Sequence, residues 1–197
     1  MARMRHLDNR DVDEAVAVAE MMRVLGPHVT KDWTVPAGPV EWSCWTTAAH
    51  VAHDLLAYAG QLAARPADAY LPFDVNVRPG IPPHDVLRVI AASGALLSCA
   101  LAKAGPDVRA WHWGATDPTG FAAMGVAEVL LHTHDITQGL GVRWLLPGPM
   151  CSAVVLRLFP DAPPGDTAQV LLWCTGRSEL PGHPRRTSWT WQAALPD

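Results

Sequence analysis

Hydrophobic and small residues recur every three to four positions in four long segments of the chain, which is the spacing of an amphipathic α-helix. Residues that stop or start helices bound these segments: Gly26-Pro27 follows the first, Ser43 precedes the second, and Asp117-Pro118 precedes the fourth. Four helices of this length predict a four-helix bundle, and CSAVVLRLF predicts a short fifth helix. The four predicted helices run from Asp11 to Leu25, from Cys44 to Pro66, from His84 to Gly105 and from Thr119 to Gln138.

The pattern changes after Pro160. TAQVLLWCTGR and RRTSWTWQAA are rich in aromatic and β-prone residues and are separated by the turn-like SELPGHP, which predicts a C-terminal β-hairpin. The predicted fold class is therefore mainly α, a four-helix bundle over residues 1–160 with a short C-terminal β-hairpin over residues 161–197 packed on it. The proline-rich segment 67–82 is predicted to be a long connection bordering a site.

The composition is that of a globular protein, with 49% hydrophobic and 17% charged residues. With 15 Lys+Arg against 19 Asp+Glu, the chain offers no broad basic surface, so we expect no nucleic-acid partner. The N-terminus carries acidic residues in place of a secretory apolar stretch, and no uncharged apolar run reaches membrane-spanning length, which predicts a cytoplasmic protein.

The four cysteines form no C-x-x-C pair, so neither a cysteine zinc site nor a redox dithiol is indicated, and we expect them to be reduced and mostly buried.

The predicted fourth helix carries a candidate metal-ligand pair. Glu128 and His132 are four residues apart and therefore lie on one helix face, with Asp135 three residues further along it. A carboxylate oxygen and an imidazole nitrogen suit zinc or another first-row divalent metal, but an open catalytic site needs a third protein ligand. That ligand has to come from another helix.

The predicted second helix offers two histidines for this purpose. His50 and His53 share one face with Asp54, so periodicity alone makes both histidines candidates. The same residues also fit a plainer interpretation, in which Glu128 and His132 form a hydrogen-bonded pair and the second helix presents a solvated polar face. Spacing leaves this choice open.

A resemblance to a known family favours the metal interpretation. Trp42 lies eight residues before His50, the D-L-L-x-Y-A run starts at Asp54, and GFAAMGVAEVLLHTHDITQGLG follows. From Trp42 to Gly141 the chain resembles the mycothiol-dependent maleylpyruvate isomerase family of the DinB-like superfamily. LRLFP and LLWCTGRSELPG also resemble the C-terminal segments of actinobacterial relatives.

The resemblance implies that His50, Glu128 and His132 hold a divalent metal, with zinc expected first. His53 becomes a proton shuttle or a surface residue, and Asp135 either orients a ligand from behind or is a solvated carboxylate.

Three further residues are candidates for contact with a bound thiol or substrate. Trp113 could line the mouth of the site, with core packing as the alternative for this tryptophan-rich segment. Arg143 and Arg177 could each receive a carboxylate, with a structural ion pair as the alternative.

The family resemblance implies an enzyme that uses mycothiol or a similar low-molecular-weight thiol. Such a thiolate would attack a small electrophile and give either S-transfer or cis/trans isomerisation. The alternatives are a non-catalytic bundle that binds a small molecule and a metal-stabilised structural protein. A homodimer is a further option for this chain.

Overall fold

The computed structural model describes residues 13–196, and helices dominate this part of the chain. The four bundle helices predicted from the sequence are confirmed, except that the predicted start at Asp11 lies outside the described residues. A single 3-10 turn at Gly26–His28 follows the first helix. In chain order the elements are α1 Glu14–Leu25, α2 Cys44–Ala64, α3 Pro83–Lys103, β1 Ala110–Trp111, β2 Ala115–Thr116, α4 Pro118–Gly139, α5 Gly148–Leu158 and α6 Thr167–Cys174.

Short polar side chains fix where the helices begin. Asp13, Ser43 and Asp117 each adopt an extended backbone conformation and accept a hydrogen bond from a backbone N–H of the first turn of α1, α2 and α4, respectively. These bonds satisfy donors that have no partner inside the helix. The caps that the sequence predicted for α2 and α4 are therefore present.

Helix α4 is the central element of the bundle. It packs against α1, α2 and α5 and is buried on nearly every face from Pro118 to Thr137. Its polar side chains therefore lie in the protein interior, where each needs a hydrogen-bonding or ionic partner. This burial is what gives Glu128, His132 and Asp135 their significance.

The short hairpin lies at a different place from the one predicted. Strands β1 and β2 pair antiparallel ahead of α4, with Ala110 opposite Thr116. The segment expected to form the first C-terminal strand is instead α6, because Asp166 caps a helix at this point and Val170, Leu171 and Cys174 then bury one face of it. The β-propensity of this short segment is therefore outweighed by the helix cap and by the packing of the buried helix face.

The C-terminal tail, residues 180–196, runs back across the bundle and forms neither a helix nor a continuous strand. The Leu195 backbone N–H donates to the Ala115 carbonyl at 2.9 Å, so the tail lies beside β2. The Arg157 guanidinium donates to the carbonyls of Gln192 and Ala193 and to the carboxylate of Asp117. The tail is thus attached at the N-terminal end of α4.

Helix α3 is long and apolar enough to cross a membrane by length and composition alone. In the fold it packs along α2 and also contacts α1, as a bundle helix does. The predicted cytoplasmic location is tested by neither observation and stays a prediction.

The free cysteines follow the sequence-based expectation in part. Cys44, Cys151 and Cys174 are buried, whereas Cys99 is exposed on α3.

Candidate metal centre

Two neighbouring helices bring three potential metal ligands together. His50 Nε2 from α2 lies 3.6 Å from Glu128 Oε2 of α4, and His132 Nε2 lies 3.2 Å from the same oxygen. The ligand atoms of all three residues lie within 4.8 Å of one another. The pairing of His50 with the i, i+4 pair on α4 is the arrangement that the family resemblance implied.

The geometry and chemistry of these donors fit a first-row divalent ion. Zinc binds imidazole nitrogen and carboxylate oxygen at about 2.0–2.2 Å, which places tetrahedral ligand atoms about 3.3–3.6 Å apart. The His132–Glu128 and His50–Glu128 separations lie close to this range. Three protein donors leave one tetrahedral position for an external ligand, which is the pattern of a catalytic rather than a structural site.

Behind His132 lies a buried chain of charged groups. The Nδ1 atom of His132 is 3.0 Å from Asp135 Oδ2, and Asp135 is 0% exposed. The Arg177 guanidinium holds the same carboxylate with two donors, Nε at 2.9 Å and Nη2 at 2.6 Å. This contact orients the His132 ring with Nε2 toward the site, as carboxylates behind metal-binding histidines do.

The contacts also bear on the expected role of Arg177. Its guanidinium is committed to a carboxylate of the protein, which is the structural ion pair given above as the alternative.

The electrostatics of the centre follow from this network. Burial by itself would lower the pKa of His132, but the hydrogen bonds to Asp135 and Glu128 outweigh it and raise that pKa to about 9. The pKa of Glu128 is lowered despite burial, chiefly because His132 donates to it. Although burial alone would raise the pKa of Asp135, its hydrogen bonds to His132 and Arg177 lower that pKa. Without a metal, the centre is therefore an ionised cluster that holds its own side chains in place.

Asp54 is a further member of the centre. Its Oδ2 atom lies 3.3 Å from His50 Nε2, and its Oδ1 atom lies 2.7 Å from His53 Nδ1. Burial and the nearby charge of Glu128 raise the pKa of Asp54 to about 7. Helical periodicity placed Asp54 on this face, but only the fold shows that it bridges the two histidines.

His53 is not a member of the set formed by His50 of α2 with Glu128 and His132 of α4. Its Nε2 atom lies 3.1 Å from Asp74 Oδ1, so its ring spans Asp54 and the connection between α2 and α3. His50, His53 and Asp54 form a second group with metal-ligand spacing, but it shares His50 with the first. The set of His50, Glu128 and His132 is the stronger candidate, because its two α4 ligands are buried.

A cavity of about 1330 Å³ opens above His50, Glu128 and His132, which together are called the triad. The triad, His53 and Asp54 line its polar part, and Arg177 and Arg185 from the chain after α6 also face it. The rest of the wall is largely aromatic and includes Trp42, Tyr58, Tyr70, Phe73, Trp113, Trp189 and Trp191. Such a cavity has room for two small reactants together.

Trp113 lines this cavity, as the sequence suggested. It occupies the β1–β2 turn with a φ of +56° and is 78% exposed. A bulky residue in the left-handed region is uncommon, and an exposed one contributes little packing to offset the strain. The turn thus holds an indole at the mouth of the cavity.

Arg143 does not line the cavity. It is exposed in the segment between α4 and α5, where Trp144 Nε1 donates to Glu20 at 2.9 Å and anchors the chain to α1.

The fold and this donor set define the class of protein: a helical bundle with a His-Glu-His centre between two helices, consistent with the DinB-like superfamily. Residues 14–137 match the family described as mycothiol maleylpyruvate isomerase N-terminal domain, and the chain belongs to that family. No curated protein and no solved structure matches the chain.

Proposed function

We propose that this protein is a metal-dependent enzyme that uses a low-molecular-weight thiol, mycothiol or a similar molecule, for S-transfer to or cis/trans isomerisation of a small electrophile. The observation that carries the proposal is the three-donor set at the polar end of a large cavity, in a chain of a mycothiol-associated family. His50, Glu128 and His132 would hold the metal, with zinc expected. A bound divalent metal supplies positive charge that favours the thiolate form of a thiol at neutral pH.

The residues around the triad have separate parts in this chemistry. With a metal bound, Asp135, fixed by Arg177, would keep the His132 proton on Nδ1 and leave Nε2 free to bind the ion. His53 Nδ1 and Asp54 Oδ1 are hydrogen-bonded at 2.7 Å beside His50 and would pass the proton of the incoming thiol to solvent.

The two reactions share their first step. The thiolate forms a C–S bond with an electron-poor carbon, and the electron pair displaced from that carbon moves onto the rest of the electrophile. Protonation of the adduct or departure of a leaving group gives S-transfer. Expulsion of the thiolate after rotation about the weakened C–C bond gives the isomer and returns the thiol unchanged.

Metal analysis of purified protein tests the proposal. Protein purified without chelator from metal-replete cells is expected to contain about one divalent ion per chain. His50→Ala and His132→Ala are expected to lose that ion while keeping the wild-type circular dichroism spectrum. His84→Ala is the matched control, because His84 is an exposed histidine on α3 that pairs only with Asp85 among residues 13–196.

Metal loss in both triad variants would justify assaying mycothiol and glutathione against a panel of electrophiles. Wild-type protein without metal, or metal retained in both folded variants, would contradict the proposal and favour a protein that binds a small molecule without catalysis.

A further inference from the structure

Three side chains from distant segments form a hydrogen-bonded chain in the cavity wall. Trp191 of the tail donates its indole Nε1–H to His112 Nε2 at 3.3 Å. His112 Nδ1 lies 2.8 Å from the hydroxyl oxygen of Tyr70, in the connection between α2 and α3. The Tyr70 ring packs edge-on against Trp111, with ring centroids 4.8 Å apart. The Tyr70 hydroxyl is thereby held by groups that are not part of the metal centre.

The direction of these hydrogen bonds follows from the chemistry of the donors. An indole N–H can only donate, so His112 Nε2 must be the unprotonated, accepting nitrogen. Burial lowers the pKa of His112 to about 4, so its ring is neutral and carries one proton. That proton must be on Nδ1, which therefore donates to the Tyr70 oxygen.

The proton of Tyr70 itself is then uncommitted. Its oxygen accepts from His112, and within residues 13–196 no acceptor lies within hydrogen-bonding distance of the hydroxyl. Tyr70 lines the cavity and is 43% exposed. Burial raises its pKa to about 12, so the hydroxyl keeps its proton at physiological pH.

We propose that Tyr70 is a dedicated hydrogen-bond donor to an oxygen atom of the electrophilic substrate, with His112 and Trp191 as the residues that fix its direction. This inference rests on the proposed function and assigns a further residue to it. It concerns electrophiles that carry a carbonyl oxygen conjugated to the carbon that the thiolate attacks.

The chemistry accounts for the value of such a donor. When the thiolate forms the C–S bond to an enone, the electron pair of the C=C bond moves toward the carbonyl and leaves negative charge on its oxygen. A fixed O–H stabilises that charge without transferring its proton. The enolate then takes a proton from solvent at carbon or, after rotation, re-forms the C=C bond and expels the thiolate.

The tautomer of His112 is the first test, because it needs neither metal nor turnover. Nitrogen NMR of ¹⁵N-histidine-labelled protein, with the His112 signals assigned by their loss in His112→Asn, is expected to show the Nδ1–H form. In Trp191→Phe, which keeps an aromatic ring but loses the donor, a mixture of tautomers is expected. An Nε2–H tautomer in the wild type would overturn the proposal.

Binding of a carbonyl probe is the second test. 4-Phenyl-3-buten-2-one is expected to bind Tyr70→Phe about 2–10-fold more weakly than wild type, as loss of one hydrogen bond implies. The same ligand lacking the oxygen, 1-phenyl-1-butene, is expected to bind both proteins equally. Equal affinity of both proteins for the ketone would count against Tyr70 as a donor, whatever the fate of the metal proposal.

Turnover supplies the third test. With an enone, Tyr70→Phe is expected to lower kcat by about 10²–10³, as removal of an oxyanion donor does in other enzymes, with unchanged metal content. With benzyl chloride, which has no conjugated oxygen, the loss in kcat is expected to be much smaller than with the enone. Equal losses with both electrophiles would assign Tyr70 a structural role and overturn the proposal.

Discussion

A buried carboxylate at the start of α1 lies apart from the cavity and from the candidate metal centre. Glu14 is 3% exposed and accepts the Ser98 hydroxyl at 3.0 and 2.9 Å. Gly94 and Gly125 make room for it, since a Cβ atom at either position would lie within about 3.5 Å of the Glu14 side chain. Burial raises the pKa of Glu14 to about 7. Its ionisation therefore opposes folding.

This shift predicts how stability changes with pH. The folded-state pKa of Glu14 is above the unfolded value, so the native state binds this proton more tightly, and stability falls as pH rises from about 4.5 through 7. In Glu14→Gln this loss, on the order of 1–3 kcal/mol in the free energy of unfolding, should be absent. Urea unfolding at pH 5, 6, 7 and 8 measures it.

The exposed Glu179→Gln variant is the control and should keep the wild-type pH dependence. An equal decline in wild type and Glu14→Gln would show that another group is responsible.

At the level of single residues, only the contacts between residues close together in the sequence could be predicted for the candidate centre. Glu128 and His132 are four residues apart, so helical geometry made their meeting predictable. Arg177 meets Asp135 across 42 residues and Trp191 meets His112 across 79, and one sequence carries no local signal for such pairs. His50 was selected over His53 by family resemblance, since both lie on one face of α2.

At the level of elements, the C-terminal end of α4 lies in close contact with the segment that leads into α2. A Cβ atom at Gly139 would collide with the Pro36 carbonyl oxygen and would lie 2.6 Å from Cys44 Sγ. Pro36 and Ser43 bridge one another across this segment, which also brings Trp42 to 4.9 Å from the His50 ring. The close contact between Gly139 and Pro36 thus helps to hold Trp42 in the wall of the cavity.

Gly139→Ala should therefore destabilise the protein by roughly 1–3 kcal/mol, because the colliding atoms belong to backbone and a buried side chain. Gly26→Ala is the matched control, since Gly26 ends α1 with a φ of −53° and has open space around it. That control is expected to stay within about 0.5 kcal/mol of wild type. Thermal or urea unfolding compares the two, and equal stabilities would refute the packing argument.

Element prediction succeeded where periodicity was long and failed where it was short. The helices of the bundle have several turns, so their hydrophobic pattern repeats often enough to be recognised in the sequence. Strands β1 and β2 have two residues each, which is too short for a detectable alternation of hydrophobic and polar residues. In TAQVLLWC, β-prone residues predict a strand, but the Asp166 cap and burial at helical spacing produce a helix.

At the level of the whole molecule, the chain beyond the family match completes the candidate site. Residues 14–137 carry the triad, whereas Arg177, Arg185, Trp189 and Trp191 come from the C-terminal segment. Arg177 links the two parts at the candidate metal centre, because its guanidinium holds the carboxylate that orients His132. The expected division at residue 160 stays a prediction, but the two parts share one cavity.

Loss of this link should weaken metal binding without unfolding the protein. Arg177→Gln is expected to lower metal affinity about 10–100-fold, the usual effect of disturbing a group behind a metal ligand. Competition with a chromogenic chelator measures the affinity, and circular dichroism checks the fold. Arg186→Gln is the control, because that arginine is exposed and stacks on Trp173 at 4.8 Å.

Unchanged affinity in Arg177→Gln would limit this arginine to a structural role.

The placement of the cysteines has a consequence for oxidative stress. None of the four lines the cavity, and burial raises the pKa of Cys44 to about 11 and that of Cys151 to about 12. Protonated, buried thiols react slowly with peroxides and disulfides. A small thiol working in this cavity would therefore meet no protein thiol with which to form a mixed disulfide, so the site should remain intact while the cellular thiol pool is being oxidised.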